Sequence, residues 1–141
     1  MNEQYLALIP AAGVGSRAKL KMAKQFTAIG SKTIIEYALD PFLLDDNCKK
    51  ICVVTQEDNE AWTSLSISGH EKIVSCIGGD TRMESVLRGL ELLMESEDKG
   101  SLVAIHDAAR PCLSNEDLKK IIVIDKSKNS EKFFFEKIIF I

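Results

Sequence analysis

Four runs of strand length, at residues 5–9, 51–55, 72–77 and 102–106, are predominantly apolar, and the last three are rich in Val and Ile. Hydrophobicity that is near-continuous rather than alternating predicts strands buried on both faces. Between these runs the period lengthens to that of a helix. Ile34, Ile35, Ala38, Leu39 and Phe42 recur at helical intervals behind Thr33 and Glu36, whose spacing is that of a capping box, and Pro41 lies near that helix's end. A second helix is expected around 58–65. A third gathers Met83, Val86, Leu87, Leu90, Leu93 and Met94 on one face. A fourth starts at Ser114-Asn-Glu-Asp117, with acids in its first turn and Lys119 and Lys120 further on.

Strands that alternate with helices predict right-handed crossovers and an α/β architecture, a mostly parallel sheet with helices on both faces. Ligands of such sheets lie beyond the carboxyl ends of the strands. Chemistry is therefore expected in the stretches 10–25, 56–58, 78–85 and 106–112. Residues 121–141 break the pattern: Ile, Phe, Lys and Asn supply 15 of these 21 residues, and the run Phe133-Phe-Phe-Glu-Lys-Ile-Ile-Phe-Ile141 is strongly apolar. The expectation is a domain over 1–120 followed by an aberrant tail over 121–141, the product of truncation or a shifted reading frame. Such an end would strip the sheet of later strands and leave an apolar edge and tail uncovered.

Composition narrows the classes. With 141 residues the chain has room for one domain, at roughly 100 to 200 residues each. Hydrophobic residues at 45% and charged residues at 28% are those of a globular protein with a real core. A net charge of -3 gives no basic surplus for a nucleic-acid or membrane partner. No apolar run approaches membrane-spanning length and 1–10 is too short for a secretory signal, so the expected location is cytoplasmic. Cys48, Cys52, Cys76 and Cys112 form no C-x-x-C pair and are read as buried or half-buried thiols.

The first strand runs into Pro10-Ala-Ala-Gly13-Val-Gly15-Ser-Arg17. Small residues let the backbone approach a ligand, and successive N–H groups in a glycine turn make a concavity for phosphate oxygens. Arg17, Lys19, Lys21 and Lys24 add a local charge of +4, suited to a polyphosphate. A plain strand-to-helix turn with a solvated lysine run is the competing reading. Gly13-Val-Gly15-Ser-Arg-Ala18 also satisfies the G-x-G-x-x-A dinucleotide pattern, but that fold wants a helix at once and an acid at the end of the second strand, and Glu36 falls inside a helix.

The third strand ends in Gly78-Gly79-Asp80-Thr81-Arg82-Met-Glu-Ser85-Val86. The glycine pair would permit contact with a flat ligand such as a base, and the helix start would leave N–H donors free. The alternative is an ordinary helix with Asp80 as its cap. The fourth strand ends in His106-Asp107-Ala108-Ala-Arg110-Pro111, whose lone carboxylate suits Mg2+. Arg110 could instead pair with Asp107, and His106 is read as a core-edge histidine satisfied by backbone rather than a catalytic base.

Taken together, Pro10-Ala-Ala-Gly-x-Gly-x-Arg17, Lys24-Gln25, Gly78-Gly-x-x-Arg82-x-x-Ser85-Val86 and His106-Asp-Ala-Ala-Arg-Pro111 resemble the cytidylyltransferases of the methylerythritol phosphate route to isoprenoids, over about residues 5–120. Relatives acting on pentitol phosphates share much of the pattern. The resemblance implies a Rossmann-like nucleotidyltransferase fold and transfer of CMP from CTP to 2-C-methyl-D-erythritol 4-phosphate with release of pyrophosphate. It implies that Arg17 and Lys24 stabilise the transition state and that Ala11, Ala12, Gly13 and Gly15 surround the triphosphate. It further implies that Gly79, Asp80, Arg82, Ser85 and Ala108 contribute to the nucleotide site, that Asp107 holds magnesium, and that the intact protein is a homodimer. Ala23 stands where the family usually has Pro, and the acceptor half of the site is not found after Lys120. A CTP-binding chain without turnover is the alternative outcome.

Overall fold

The computed structural model describes residues 4–13, 23–96, 101–126 and 138–141. Its main sheet holds β1 (Tyr5–Pro10), β4 (Cys48–Thr55), β5 (Ile73–Ile77), β6 (Leu102–Ile105) and β7 (Ile138–Phe140) in the order β5-β4-β1-β6-β7, every neighbouring pair parallel. The chain steps outward from β1 to β4 and β5, then returns to the far side of β1. The switch point of the sheet thus falls between β1 and β6, where open α/β sheets hold their ligands.

Alternate residues of each central strand enter opposite layers. Tyr5, Ala7 and Ile9, with Ile51, Val53, Leu102 and Ala104, pack against α1 (Ile34–Leu43) and α4 (Asn115–Lys126). Leu6, Leu8, Cys52, Val54, Val103 and Ile105 meet Leu90 and Leu93 of α3 (Arg82–Ser96) on the other face. Burial on both faces explains why β1, β4 and β6 read as continuous apolar runs, whereas β5, expected to be buried likewise, lies at the sheet's edge with only Ile73 buried. Gly89 sets the closeness of α3 to the sheet: a Cβ there would lie 2.6 Å from Leu8 Cδ1 and 2.8 Å from a Val54 methyl. The helix therefore meets the sheet along Val86, Gly89, Leu90 and Leu93, and the expected apolar face proves too broad, since Met83 is 82% and Leu87 47% exposed.

Glu36 Oε2 accepts from the Thr33 backbone N–H at 2.7 Å and the Thr33 hydroxyl at 2.8 Å, which fixes the start of α1 as the spacing predicted. A hairpin of β2 (Ala28–Ile29) and β3 (Lys32–Thr33) precedes it, turning at Gly30 with φ +64°. The expected second helix shrinks to one turn, α2 (Glu60–Thr63), followed by a 3-10 turn over Ser66–Gly69. Ser64, Ser66, Ser68 and Gly69 favour local side-chain bonds or backbone freedom over helix, and the Ser68 hydroxyl indeed donates to Leu65 O at 2.8 Å.

Two features of the chain's end differ from expectation. α4 runs through residue 120 without a break, because Leu118 and Ile122, four apart, are both buried in the core. The outer edge of β6 is covered: β7 pairs with it in the register Val103↔Ile138, Ala104↔Ile139 and Ile105↔Phe140. Ile138 packs on the α3 side and Ile139 and Ile141 on the other, so apolar residues read as unsupported find the two core layers. Residues 127–137, including Phe133 to Phe135, lie outside the described residues. Among the described residues no helix is long and apolar enough to cross a membrane. Cys48 and Cys52 are buried and Cys76 half-buried as expected, whereas Cys112 is exposed.

Candidate active site

A cavity of about 500 Å³ opens beyond the carboxyl ends of the strands, at the switch point between β1 and β6. Three of the four stretches expected there meet in it, with Ala12, Gly13 and Lys24 from the first, Gly79 to Arg82 and Ser85 from the second, and Asp107 to Arg110 from the third. Residues 56–58 are not among its lining. Among the described residues its charged side chains are Lys24, Arg82 and Arg110 against Asp80 and Asp107. Three cations over two acids favour an anionic occupant in an otherwise acidic chain.

The loop after β1 is built from the sheet outward. The Ala11 N–H donates to Val54 O at 2.7 Å, and Ala11 is 2% exposed. Its side chain packs in the core behind the cavity. Ala12 and Gly13 do reach the cavity. One helical turn, Lys24–Phe26, buries Gln25 and Phe26 and leaves Lys24 exposed at the cavity wall. Gln25 was not foreseen as a site residue, yet its Nε2 donates to both Ala11 O at 2.9 Å and Gly13 O at 3.1 Å. Gly15 and Arg17 lie outside the described residues.

At the start of α3 the protein itself engages the backbone N–H groups of Asp80, Thr81 and Glu84. Glu84 Oε2 accepts from the Asp80 N–H at 2.7 Å and the Thr81 N–H at 3.2 Å, while the Glu84 N–H donates to Thr81 Oγ1 at 3.1 Å. Thr81, not Asp80, is therefore the cap, and the anion at the helix N-terminus is the protein's own carboxylate. The glycine pair is likewise engaged by protein. A Cβ on Gly78 would lie 2.5 Å from Ser85 Oγ and 2.7 Å from Ala12 Cβ, and one on Gly79 would run into Glu84. Ser85 is buried, lines the cavity, and accepts from the Gly79 N–H at 3.2 Å. Its own hydroxyl hydrogen remains available to an acceptor in the cavity.

At the end of β6, His106 is 3% exposed, with Nε2 2.9 Å from Arg110 O and Nδ1 3.0 Å from Ile141 O. The backbone surrounds it, as expected of a structural histidine. Asp107 Oδ1 accepts from Arg82 Nη2 at 2.7 Å and Oδ2 from Arg110 Nε at 3.0 Å, so the pairing foreseen with Arg110 forms and Arg82 joins it. Burial would raise the Asp107 carboxyl, but hydrogen bonding and charge, first from Arg82 and then from Arg110, outweigh it and hold the group below the usual carboxylate range. The result is an ionised carboxylate, 35% exposed, on the cavity wall. Among the described residues no three His, Cys, Asp or Glu side chains are placed to enclose a metal. A lone ionised carboxylate does fit Mg2+, which takes one or two protein carboxylates and draws the rest of its shell from phosphate and water.

Comparison with known proteins places this geometry. The family model for 2-C-methyl-D-erythritol 4-phosphate cytidylyltransferase matches residues 5–132. A protein of that name from Buchnera aphidicola is 42% identical over 123 residues, covering 87% of this chain and 50% of the relative. One from Vibrio vulnificus is 38% identical over 117 residues, covering 83% and 49%. The crystal structure of the Francisella tularensis cytidylyltransferase superposes with a TM-score of 0.73 at 33% identity, covering 89% of this chain and 54% of that one. The chain spans about half the length of the curated relatives it matches.

Proposed function

Since the chain belongs to the 2-C-methyl-D-erythritol 4-phosphate cytidylyltransferase family, we propose that its cavity holds CTP and serves transfer of CMP to 2-C-methyl-D-erythritol 4-phosphate, releasing pyrophosphate. The observation that carries this reading is the meeting of Gly13 and Lys24 with Ser85 and Asp107 around one cavity at the switch point of the sheet. The acceptor phosphate attacks the α phosphorus in line, and no protein nucleophile takes part. Catalysis is then a matter of position and of cations aimed at phosphoryl oxygens as their charge grows. Lys24 supplies one such cation, and Arg17 is proposed as its partner. Ala11, Ala12, Gly13 and Gly15 are proposed to surround the triphosphate, and Gly79, Asp80, Ser85 and Ala108 the nucleoside, with Arg82 nearby.

Asp107 would hold Mg2+, which when bound adds positive charge beside the phosphates. One or both guanidiniums now on Asp107 would then be released to the phosphate oxygens. A cytoplasmic location belongs to the same proposal, since both substrates are multiply charged metabolites. The test is calorimetric titration of the chain with CTP and Mg2+, with NAD(H) as the control. CTP binding that needs the divalent ion and weakens in Asp107→Asn is expected, and binding of NAD(H) in its place would overturn the reading. A turnover assay offering the methylerythritol phosphate and a pentitol phosphate in parallel identifies the acceptor.

A further inference from the structure

Gln25 is 6% exposed and lines the cavity beside its exposed neighbour Lys24. A primary amide carries two N–H donors, and the distances of 2.9 Å to Ala11 O and 3.1 Å to Gly13 O commit both to the loop after β1. No donor is left over for a ligand. What the arrangement does is electrostatic and geometric. Carbonyl oxygens are the negative pole of the peptide and would oppose a polyphosphate, and here two of them are drawn onto a buried neutral donor. The same bonds join the loop to the helical turn Lys24–Phe26, whose other anchor is the buried Phe26 and whose first residue is the exposed lysine.

We infer that Gln25 is a positioning residue, tying the glycine loop and Lys24 into one frame so that backbone and ammonium reach the same triphosphate. The inference rests on the nucleotide reading of the cavity. It differs from a packing role in what it demands of substitutes. Gln25→Met keeps length and volume but has no donor. Gln25→Glu keeps the shape and sets a carboxylate against two carbonyl oxygens. If Gln25 only filled space, Met would serve.

The experiment combines hydrogen exchange and nucleotide binding on the full chain. In the wild type, the Gln25 side-chain amide protons should exchange far more slowly than those of the exposed Gln56. In Gln25→Met, the backbone amides of Ala11, bonded to Val54 O, and of Phe26, bonded to Ala23 O, should exchange faster, while those of β4 and β5 stay unchanged. Two lost hydrogen bonds should weaken CTP about tenfold or more in Gln25→Met and further in Gln25→Glu, with CMP changed by less than about threefold. A Met variant with wild-type exchange and an unchanged ratio of CTP to CMP affinity would overturn the inference. So would Gln25 side-chain protons as labile as those of Gln56, a readout that holds even where a variant fails to fold. Loosened loop amides in a protein whose wild type takes up no CTP would instead sink the nucleotide reading and leave the tie established.

Discussion

Arg82 Nη2 lies 2.7 Å from Asp107 Oδ1, which binds the first residue of α3 to the loop after β6 across the cavity that both line. With Arg110 Nε 3.0 Å from Oδ2, one carboxylate holds two guanidiniums. Side-chain exposures of 57% for Arg82 and 73% for Arg110 leave these pairs well solvated. Such pairs contribute at most about 1 kcal/mol and weaken with salt. Their place in the cavity therefore matters more than their strength.

The pH dependence of that cluster has a definite sign. The Asp107 carboxyl titrates lower in the folded chain than in the unfolded one. Its contribution is present above the ordinary carboxylate pKa and is lost as pH falls through the lower, folded value. Wild type should thus lose its advantage over Asp107→Asn in denaturant titrations as pH drops through the acid range, and the gap should shrink in high salt. A gap that widened on acidification would contradict the assignment.

Lys24 is expected to act on the transition state more than on bound CTP. In a chimera joining residues 1–120 to the second half of the Buchnera aphidicola relative, Lys24→Ala should lower kcat about 10² to 10³-fold, the scale for one lost preorganised donor. The KM for CTP should move far less. A variant within about threefold of its parent would remove Lys24 from the chemistry.

Much of this was legible beforehand, for physical reasons that differ by residue. Ile51, Val53 and Val54 announced β4 because a parallel strand covered on both faces needs an apolar residue at every position. Asp107 was visible because a carboxylate at the end of such a strand faces the ligand crevice. The T-x-x-E spacing of Thr81 and Glu84 was also in plain sight, and it would have marked Thr81 rather than Asp80 as the cap of α3. Gln25 was not legible as a tie, because its partners are backbone carbonyls 12 and 14 residues back in the chain. Nor was the exposure of Met83, since periodicity gives the direction of an apolar stripe but not the width of the sheet beneath it.

Two glycines should separate packing from binding. Gly89→Ala gains helix propensity of about 1 kcal/mol but forces a methyl against Leu8 and Val54, where overpacking costs about 1–3 kcal/mol. The net expectation is a lower melting temperature. Gly78→Ala pushes instead on Ser85 and Ala12 at the cavity wall, so its CTP affinity should fall even where stability is largely kept. Gly69→Ala, with nothing within 4 Å of the added carbon, is the control and should be near neutral.

The pairing of β7 with β6 ties the last described residues to the sheet. Ile138 and Ile139 enter the two core layers, the Ile141 N–H donates to Ile105 O at 2.8 Å, and Ile141 O sits on His106 Nδ1. Removing residues 138–141 would uncover the hydrogen-bonding edge of β6, a strand buried along its whole length. An exposed apolar strand edge is a template for another chain. The shortened protein should sediment as growing oligomers with rising concentration, whereas the 141-residue chain should not. Ile139→Asp should do the same without shortening the chain, because it sets a charge in the layer beneath α1 and α4. If both variants stayed monomeric at the wild-type melting temperature, the β6–β7 pairing would carry no weight in the fold, and the tail would be the unsupported appendage that its composition suggests.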